Sequence, residues 1–227
     1  MPSTRPRIIS FSGIDGGGKS TQISALESYL RDSGLRTTTL TFWDDVVVGG
    51  RFREMMSHKA FRGEKGIGTP ERPINRRDKN VSSRLMTALR CALYFADGLN
   101  LRLVVSRLKR TQADVVIFDR YIYDEVANLP LNNRLAAAFV RLLLRCVPKP
   151  DLALLIDADP PAARARKPEY PLDFLHRNRQ AYLALSEMSG HITVIAPLSI
   201  DAAHARIRSL LPESLARHVS GLSALPA

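Results

Sequence analysis

The 227-residue sequence is poor in cysteine, in long apolar runs and in acidic side chains. Its two cysteines, Cys91 and Cys146, lie in apolar stretches typical of helices, which excludes the disulfide framework of a small secreted domain. Arg141 and Arg145 interrupt the longest apolar run, so no segment is expected to span a bilayer. Residues 1–10 lead directly into an apolar strand without a signal-peptide core, and a cytoplasmic location is expected.

The shortage of acids leaves 33 Lys and Arg against 22 Asp and Glu, a net charge of +11. Between residues 51 and 90 there are eleven basic and four acidic side chains, so this segment alone contributes +7. A nucleic-acid surface would explain the excess, but no helix-turn-helix, zinc-finger or aromatic RNA-binding signature accompanies it. The favoured explanation is a cleft that binds small polyanionic substrates.

One glycine-rich segment has a specific chemical meaning. Residues 13–20, GIDGGGKS, match the P-loop pattern G-x-x-x-x-G-K-[ST] between an apolar strand and an amphipathic helix. Glycines let the backbone wrap a phosphate, while the lysine adds positive charge and the serine a hydroxyl for Mg²⁺. The pattern predicts an ATP and Mg²⁺ site, with nucleotide contacts from Gly13, Gly16, Gly17, Gly18, Lys19, Ser20 and Thr21.

A second segment supports this prediction. Residues 115–119, VVIFD, form an apolar strand that ends in a carboxylate, as the Mg²⁺-organising acid of P-loop enzymes does. Arg120 follows at once. Asp119 and Arg120 would therefore lie at the carboxyl edge of the sheet, where open α/β folds bind ligands.

Apolar strands alternate with helices along the chain, which predicts an α/β fold of the P-loop NTPase type. We expect a three-layer sandwich in a single domain, with a parallel sheet of about five strands and helices on both faces. The predicted strands are 7–11, 37–42, 115–119, 152–156 and 192–195. The predicted helices are 20–32, a short one near 51–58, one or two within 81–110, 132–146, one ending near 188, and 201–210. The tail from Pro212 is expected to be frayed.

Several segments together resemble the thymidylate kinase family, over roughly residues 7–210. The matching segments are 9–22 (the family's opening), 118–121 (its DRY motif), 150–160 (the strand before its lid), 174–182 (its F-x-x-R-x-R-x-x-Y run) and 194–207 (its last strand and adenine-side loop). The resemblance implies an ATP-dependent nucleoside monophosphate kinase acting on dTMP or a related pyrimidine nucleotide.

The resemblance also implies roles for individual residues. Arg120 would hold phosphate oxygens between donor and acceptor, and Asp119 and Asp15 would organise Mg²⁺ with Ser20. Gly16 and Gly17 occupy positions where a transition-state arginine could sit, so the lid, 160–175, must supply it, from Arg164, Arg166 or Lys167. The residues expected to contact the acceptor are Arg53, Tyr94, Asp44, Tyr121 and Asn128. The family also suggests a homodimer, formed through helices 81–110 or 132–146.

The departures from the family concern the acceptor. Gly98 stands where family members with this spacing carry a base-reading arginine, although Arg102 or Arg90 could fill in from a neighbouring turn. Residues 124–129, DEVANL, replace a serine-rich continuation, and FWDD at 42–45 replaces an E-P-G-type loop. The phosphate-handling residues are thus present while the base-reading residues are changed.

Two alternatives to a nucleoside monophosphate kinase are compatible with the sequence. Asp44 or Asp45 could act as general base in a kinase for a hydroxyl acceptor such as a deoxynucleoside, and a regulatory ATP-binding module is a third hypothesis. Trp43 is either a wall of the pocket or part of the core, and the core is the favoured interpretation. The loop 62–80 is either a basic insertion or a flap that closes over the acceptor with its basic residues Arg72, Arg76, Arg77 and Lys79.

Overall fold

A computed structural model describes residues 5–50 and 84–223. At its centre is a parallel sheet of five strands in the order β2-β3-β1-β4-β5. The strands are β1 Arg7–Ser12, β2 Thr37–Thr41, β3 Val115–Asp119, β4 Leu152–Ile156 and β5 Ile192–Ile195. All five were predicted to within one residue, and the α/β class with a parallel sheet is confirmed.

Helices connect the strands. In the described part of the chain they are α1 Lys19–Asp32, α2 Arg84–Leu108, α3 Ile122–Val126, α4 Arg134–Cys146, α5 Pro160–Arg166, α6 Leu172–Ser189, α7 Ile200–Ser209 and α8 Glu213–Ser223. The segment left open as one helix or two is a single helix where it is described. The short helix predicted near 51–58 and the loop 62–80 lie outside the described residues.

The sheet separates two apolar cores. Alternate side chains of β3 face opposite sides, so Val116 and Phe118 belong to one core and Val115 and Ile117 to the other. Side chains of α2, α4 and α6 complete the first core, and those of α1, α7 and α8 complete the second. The predicted cover of helices on both faces is therefore confirmed.

Helix α1 is positioned by one apolar face and a defined end. Ile23, Leu26 and Leu30 recur at helical spacing and are buried in the second core. At the far end Gly34 takes φ +70, and its N–H donates to the carbonyl of Arg31 at 2.8 Å. This glycine ends the helix as predicted, because the left-handed conformation costs it little. The buried face and the defined C-terminal end together fix α1 on the sheet, with its amino end at the glycine-rich loop.

The prediction of a frayed tail from Pro212 is wrong for residues 213–223. They form α8, and Leu215 and Val219 are buried in the second core. Each buried apolar side chain of this size stabilises the fold by about 1.5–3 kcal/mol. The sequence hid this helix because its apolar residues are few and are separated by Ala, Ser and Gly.

The residues after β2 also differ from expectation. Phe42–Val46 form a π-helical turn, which the sequence did not predict. This turn buries Phe42 and Val46 but leaves Trp43 43% exposed, so the interpretation of Trp43 as core is wrong. The short helix α3, directly after Arg120, was likewise missed, and five residues are too few to show a helical period.

Two expectations about composition can be checked directly. Cys91 and Cys146 are both half-buried and unpaired, so they form no disulfide. Within 5–50 and 84–223 we find no helix with both the length and the apolar character that crossing a membrane requires.

Candidate active site

The loop between β1 and α1 is folded so tightly that two of its glycines have no room for a side chain. A Cβ on Gly13, at φ +141, would lie 2.4 Å from the carbonyl oxygen of Ile156. A Cβ on Gly16, at φ +76, would lie 2.3 Å from the carbonyl oxygen of Ala163. Backbone oxygens at the end of β4 and in α5 thus close in on the loop, and only glycine fits at both positions.

The amino end of α1 opens into this loop. Gly18 caps the helix at φ +93 and, as a glycine, offers no side chain to accept a hydrogen bond from its first amides. Those amides and the helix dipole therefore favour an anion at the loop. Ser20 and Thr21 follow in the first turn with exposed side chains. The loop and the start of α1 therefore have the backbone conformation expected of a phosphate-binding loop.

Lys19 lies inside the curve of the loop. Its side chain is nearly buried, and Nζ donates to the carbonyl oxygens of Gly13 at 2.8 Å and Ile14 at 2.9 Å. Burial, and next the positive charge of Arg120, lower the pKa of Lys19 to about 8, although nearby carboxylates, Asp15 first, oppose the shift. The ammonium group is therefore close to losing its proton at mildly alkaline pH.

Arg120 projects from the end of β3 towards the loop. Its backbone takes φ +70, which is uncommon for a residue with a side chain, and its N–H donates to the carbonyl of Phe11 at 2.9 Å. One guanidinium nitrogen pairs with Asp15 of the loop, and the other lies 3.8 Å from Asp124 Oδ1. Burial by itself would lower the pKa of Arg120, but the carboxylates of Asp124 and Asp15 outweigh it and raise that pKa. Arg120 is a fixed cation.

Asp124, on α3, is a site residue that the sequence did not reveal. Its carboxylate is only 5% exposed and accepts hydrogen bonds from Ser12 Oγ at 2.6 Å, Tyr182 Oη at 2.7 Å and the backbone N–H of Tyr121 at 3.0 Å. The one available signal was a pair of adjacent acids, Asp124 and Glu125, within an otherwise apolar stretch, IYDEV. That signal marks a buried carboxylate but not its partners.

The predicted lid, 160–175, begins with α5, and α5 contacts the loop. Arg166 Nε donates to the carbonyl oxygen of Gly16 at 2.8 Å. Arg164 is half-buried on the same helix, whereas Lys167 pairs with Glu169 at 3.4 Å. Among the three candidate lid cations, Arg166 is therefore held at the loop by a hydrogen bond.

Helix α6 is tied to the same edge of the sheet. Arg179 makes two hydrogen bonds, at 2.6 and 2.7 Å, to the carboxylate of Asp157, which directly follows β4. A bidentate pair of this kind fixes the orientation of both groups. Sequence reasoning gave neither residue a role.

Asp119 and Ser20 are the residues that could contact Mg²⁺. Asp119 ends β3 opposite Phe11 of β1, so it lies at the carboxyl edge next to the loop. No three His, Cys, Asp or Glu side chains within 5–50 and 84–223 form a cluster able to hold a metal ion. Mg²⁺ beside a nucleotide takes one or two protein groups together with phosphates and water, so a hydroxyl and a carboxylate at this edge would be enough. The residues present therefore fit the ion.

Two positions that the sequence linked to the acceptor's base, Tyr94 and Gly98, lie on α2. Tyr94 is buried on this helix. Gly98 faces α4, where a Cβ would lie 2.9 Å from Leu143 Cδ1 and 3.0 Å from Val147 Cγ1. An arginine at position 98 would require the side chains of Leu143 and Val147 to move. The glycine therefore allows the two helices to pack closely, and the departure from the family has a structural cause.

Tyr121 and Asn128, two residues predicted to contact the acceptor, make hydrogen bonds within the protein. Tyr121 is fully buried between the rings of Phe118 and Tyr123, and its hydroxyl donates to the carbonyl of Pro148 at 2.9 Å. The ring of Tyr121 belongs to the core, and its contact with the acceptor stays a prediction. Asn128 Nδ2 donates to the carbonyl of residue 124 at 2.8 Å, so this amide caps the end of α3.

The remaining acceptor candidates are placed as follows. Asp45 accepts a hydrogen bond from the backbone N–H of Thr41 at 2.7 Å, and Asp44 is exposed. Arg102 donates to the carbonyl of Cys146 at 2.7 Å, so it is engaged at the end of α4. Arg90 is half-buried. Arg53 lies outside the described residues.

Known proteins match the chain in both sequence and structure. The family model for thymidylate kinase matches residues 76–207. A probable thymidylate kinase of Methanothermobacter thermautotrophicus is 31% identical over 209 residues, which cover 89% of this chain and 93% of that protein. The thymidylate kinase of Leifsonia xyli is 29% identical, with 93% and 97% covered.

Solved structures give the same fold. A thymidylate kinase from Candida albicans superimposes with a TM-score of 0.61 at 20% identity, covering 94% of each chain. One from Ehrlichia chaffeensis gives 0.58 at 18% identity. At these identities the likeness shows the P-loop kinase fold alone. The match over more than half of the chain and the 31% identical relative show more: this chain belongs to the thymidylate kinase family and is an ATP-dependent phosphotransferase.

Proposed function

We propose that this kinase transfers the γ-phosphoryl group of ATP to the phosphate of dTMP or a related pyrimidine nucleotide. An acceptor phosphate oxygen attacks the γ-phosphorus, the bond to the β–γ bridging oxygen breaks, and ADP leaves. The observation that supports this best is the meeting of the glycine loop, Arg120 and α5 at one edge of the sheet. Phosphoryl transfer depends mainly on alignment and charge neutralisation, which these groups can supply.

In this proposal the loop binds the donor. The free amides of α1 and the loop glycines hold the β-phosphate, and Lys19 exchanges its carbonyl partners for the β- and γ-oxygens. The adenine would lie by the segment after β5, where Leu198 and Ile200 are exposed apolar side chains. Ser20 and Asp119 would hold Mg²⁺, which neutralises charge on the triphosphate when bound.

Two arginines would neutralise the transferred group. Arg120, kept charged and held against Asp15, would bind phosphate oxygens of donor and acceptor. Arg166 lies at the loop through its contact with Gly16 and would turn from that carbonyl to the γ-phosphoryl group in the transition state. Arg164 is the alternative lid cation. No general base is required, because a phosphate acceptor is ionised at neutral pH.

The acceptor would lie between α2 and the loop, with Tyr94 stacking on its base and Arg53 binding its phosphate. Family membership disfavours the alternative of a hydroxyl acceptor with Asp44 or Asp45 as base. The hydrogen bond from Thr41 N–H to Asp45 is consistent with this, since it gives that carboxylate a local structural role. Cytoplasm, where ATP is supplied and thiols stay reduced, is the proposed location.

A coupled ADP-release assay with dTMP, dUMP, UMP, CMP, thymidine and deoxycytidine tests the proposed acceptor class. We expect turnover with one or more pyrimidine monophosphates and none with the two nucleosides. Turnover with thymidine or deoxycytidine but not with their monophosphates would contradict the proposal. ATP binding without turnover on any of the six would favour a regulatory module.

A homodimer is the second proposal, and an exposed apolar stripe on α2 supports it. Leu85, Leu89, Leu99 and Leu103 are 77, 47, 51 and 56% exposed, and they recur along one side of the helix. Contiguous exposed leucines of this kind are typical of an interface. Sedimentation should give a dimer for the native chain and a monomer for Leu99→Glu. A native monomer at micromolar concentration would contradict the proposal.

A further inference from the structure

Asp124 gathers donors from separate parts of the fold. Ser12 comes from the end of β1, directly before the glycine loop, and Tyr182 comes from α6, the helix that follows the lid. Oδ2 accepts from Ser12 and from the Tyr121 N–H, while Oδ1 accepts from Tyr182 and lies 3.8 Å from Arg120 Nη1. Four groups therefore converge on one buried carboxylate.

These hydrogen bonds fix the orientation of the carboxylate, because its two oxygens accept from donors in different directions. Burial, and next the charge of Asp124, raise the pKa of Tyr182 well above its usual value, so this hydroxyl remains a donor. The oxygen Oδ1 is therefore held where it faces the guanidinium of Arg120.

The position of the Arg120 guanidinium depends on the carboxylates that it contacts. Arg120 takes a left-handed conformation at φ +70, and its guanidinium lies between Asp15 on one side and Asp124 on the other. Asp15 belongs to the glycine loop itself. Asp124 lies outside the loop, on α3, and is held by Ser12 of β1 and Tyr182 of α6.

We infer that Asp124 is a positioning residue for Arg120, held by Ser12 and Tyr182, and that it links the helix after the lid to the site of phosphoryl transfer. The inference rests on the proposed function, in which Arg120 contacts the phosphates. Asp124 itself contacts neither substrate. Its loss would therefore lower kcat by misaligning Arg120, with smaller changes in the KM values.

The first experiment measures kcat and both KM values for Asp124→Asn, Arg120→Lys and the double variant. Displacing a catalytic group by about 1 Å can cost on the order of 100-fold, so we expect Asp124→Asn to lower kcat about 10- to 100-fold. In the Arg120→Lys background the same substitution should lower kcat by less than about threefold, because its effect passes through the arginine.

Tyr182→Phe tests the same carboxylate with a smaller change, should Asp124→Asn fold poorly. It removes one hydroxyl that donates to Asp124 and keeps the buried ring. The loss of one hydrogen bond to a charged group should lower kcat about threefold to tenfold, again only when Arg120 is present. The melting temperature of each variant is measured beside its kinetics.

Asp151→Asn is the matched control. Asp151 is also a nearly buried carboxylate bound by arginine, with Arg7 Nη1 at 2.8 Å and the Ile8 N–H at 2.9 Å, but it lies at the opposite edge of the sheet. This variant should lose thermal stability and keep its kcat. If Asp151→Asn loses kcat to the same extent as Asp124→Asn at a similar drop in melting temperature, the role of Asp124 is structural and the inference fails.

Further outcomes separate the inference from the function it rests on. Full kcat in Asp124→Asn beside an impaired Arg120→Lys overturns the inference alone. Multiplicative losses in the double variant also overturn it, because the two residues would then act independently. Full kcat in Arg120→Lys and Arg120→Ala would remove both the inference and the proposed role of Arg120.

Discussion

The donor side and the acceptor side of this site are built in different ways. On the donor side, backbone groups are pressed together so closely that Gly13 and Gly16 admit no Cβ, and the charged side chains pair with one another. On the acceptor side, helix α2 packs closely on α4 through Gly98. A segment after β2 is pinned to α2 by the hydrogen bond from Val48 N–H to Asp97 at 2.8 Å.

The difference explains why one side follows the family pattern and the other departs from it. Wrapping a triphosphate demands particular backbone conformations, which only a few residue types allow. Shaping a base pocket demands only that helices pack at a suitable distance, which many combinations of side chains achieve. Phosphate handling is thus encoded locally, and acceptor choice is encoded in tertiary packing.

The largest expected effect is on the lid. Arg166→Ala should lower kcat by on the order of 10³-fold or more if it is the transition-state cation, as arginine fingers do elsewhere. Arg164→Ala and the control Lys167→Ala, whose ammonium pairs with Glu169, should cost much less. Steady-state kinetics with saturating ATP measure this. Near-normal turnover in both arginine variants would show that the lid supplies no transition-state cation, and the donor side would then lack one of its proposed charged groups.

A smaller effect is expected where the lid touches the loop. Gly16→Ala would place a Cβ 2.3 Å from the Ala163 carbonyl oxygen, so the loop and α5 must separate, and we expect kcat/KM for ATP to fall on the order of 100-fold. Gly49 is the matched control, with a similar φ of +68 but no atom within 4 Å of its Cβ position. Gly49→Ala should cost about 1–2 kcal/mol of stability and leave ATP kinetics unchanged. Equal kinetic losses in both would show that backbone strain, and not the contact with α5, matters.

The pH dependence of the donor side is the next effect. Lys19 has a pKa of about 8, so its ammonium form, which binds phosphate, is lost as pH rises through that value. In the free enzyme, kcat/KM for ATP should therefore fall about tenfold per pH unit above this range. Measurement from pH 6.5 to 9.5 with a buffer series tests this. A flat profile to pH 9.5 would show that Lys19 stays charged in spite of its burial.

The smallest kinetic effect is expected at Gly98. Gly98→Ala brings a methyl group 2.9 Å from Leu143 Cδ1, and overpacking of about 2 kcal/mol, offset by about 1 kcal/mol of helix propensity, should cost about 1 kcal/mol of stability. The KM for ATP should stay within about twofold. Urea denaturation and ATP kinetics measure the two quantities. A large rise in the KM for ATP would break the separation of the two sides.

Much of the fold could be predicted because its signals are local. Four apolar segments and one alternating threonine-rich segment, 37–42, predicted the five strands, and the GKS pattern predicted the loop and the start of α1. The tail helix α8 was missed because Leu215 and Val219 are spread among small residues. Trp43 was misread because its size and apolar character favoured the core, whereas the π-helical turn buries Phe42 and Val46 instead.

The site was predictable only where backbone chemistry fixes it. Lys19 and Arg120 follow from motifs, and the structure places both at the loop. Tyr121 shares the motif, but its ring direction depends on the packing of neighbouring aromatic residues. Asp124 is defined by partners 112 and 58 residues away, so no local pattern could identify its role.

The central claim is that Lys19 and the surrounding amides form a seat for the triphosphate of ATP. Calorimetric titration of ATP with and without Mg²⁺, into the native protein and into Lys19→Met, tests it most directly. We predict Mg²⁺-dependent binding by the native protein and an affinity loss of about 10²- to 10³-fold in the variant. Equal affinity in the two proteins, or no Mg²⁺-dependent affinity of the native protein for any purine triphosphate, would contradict the claim.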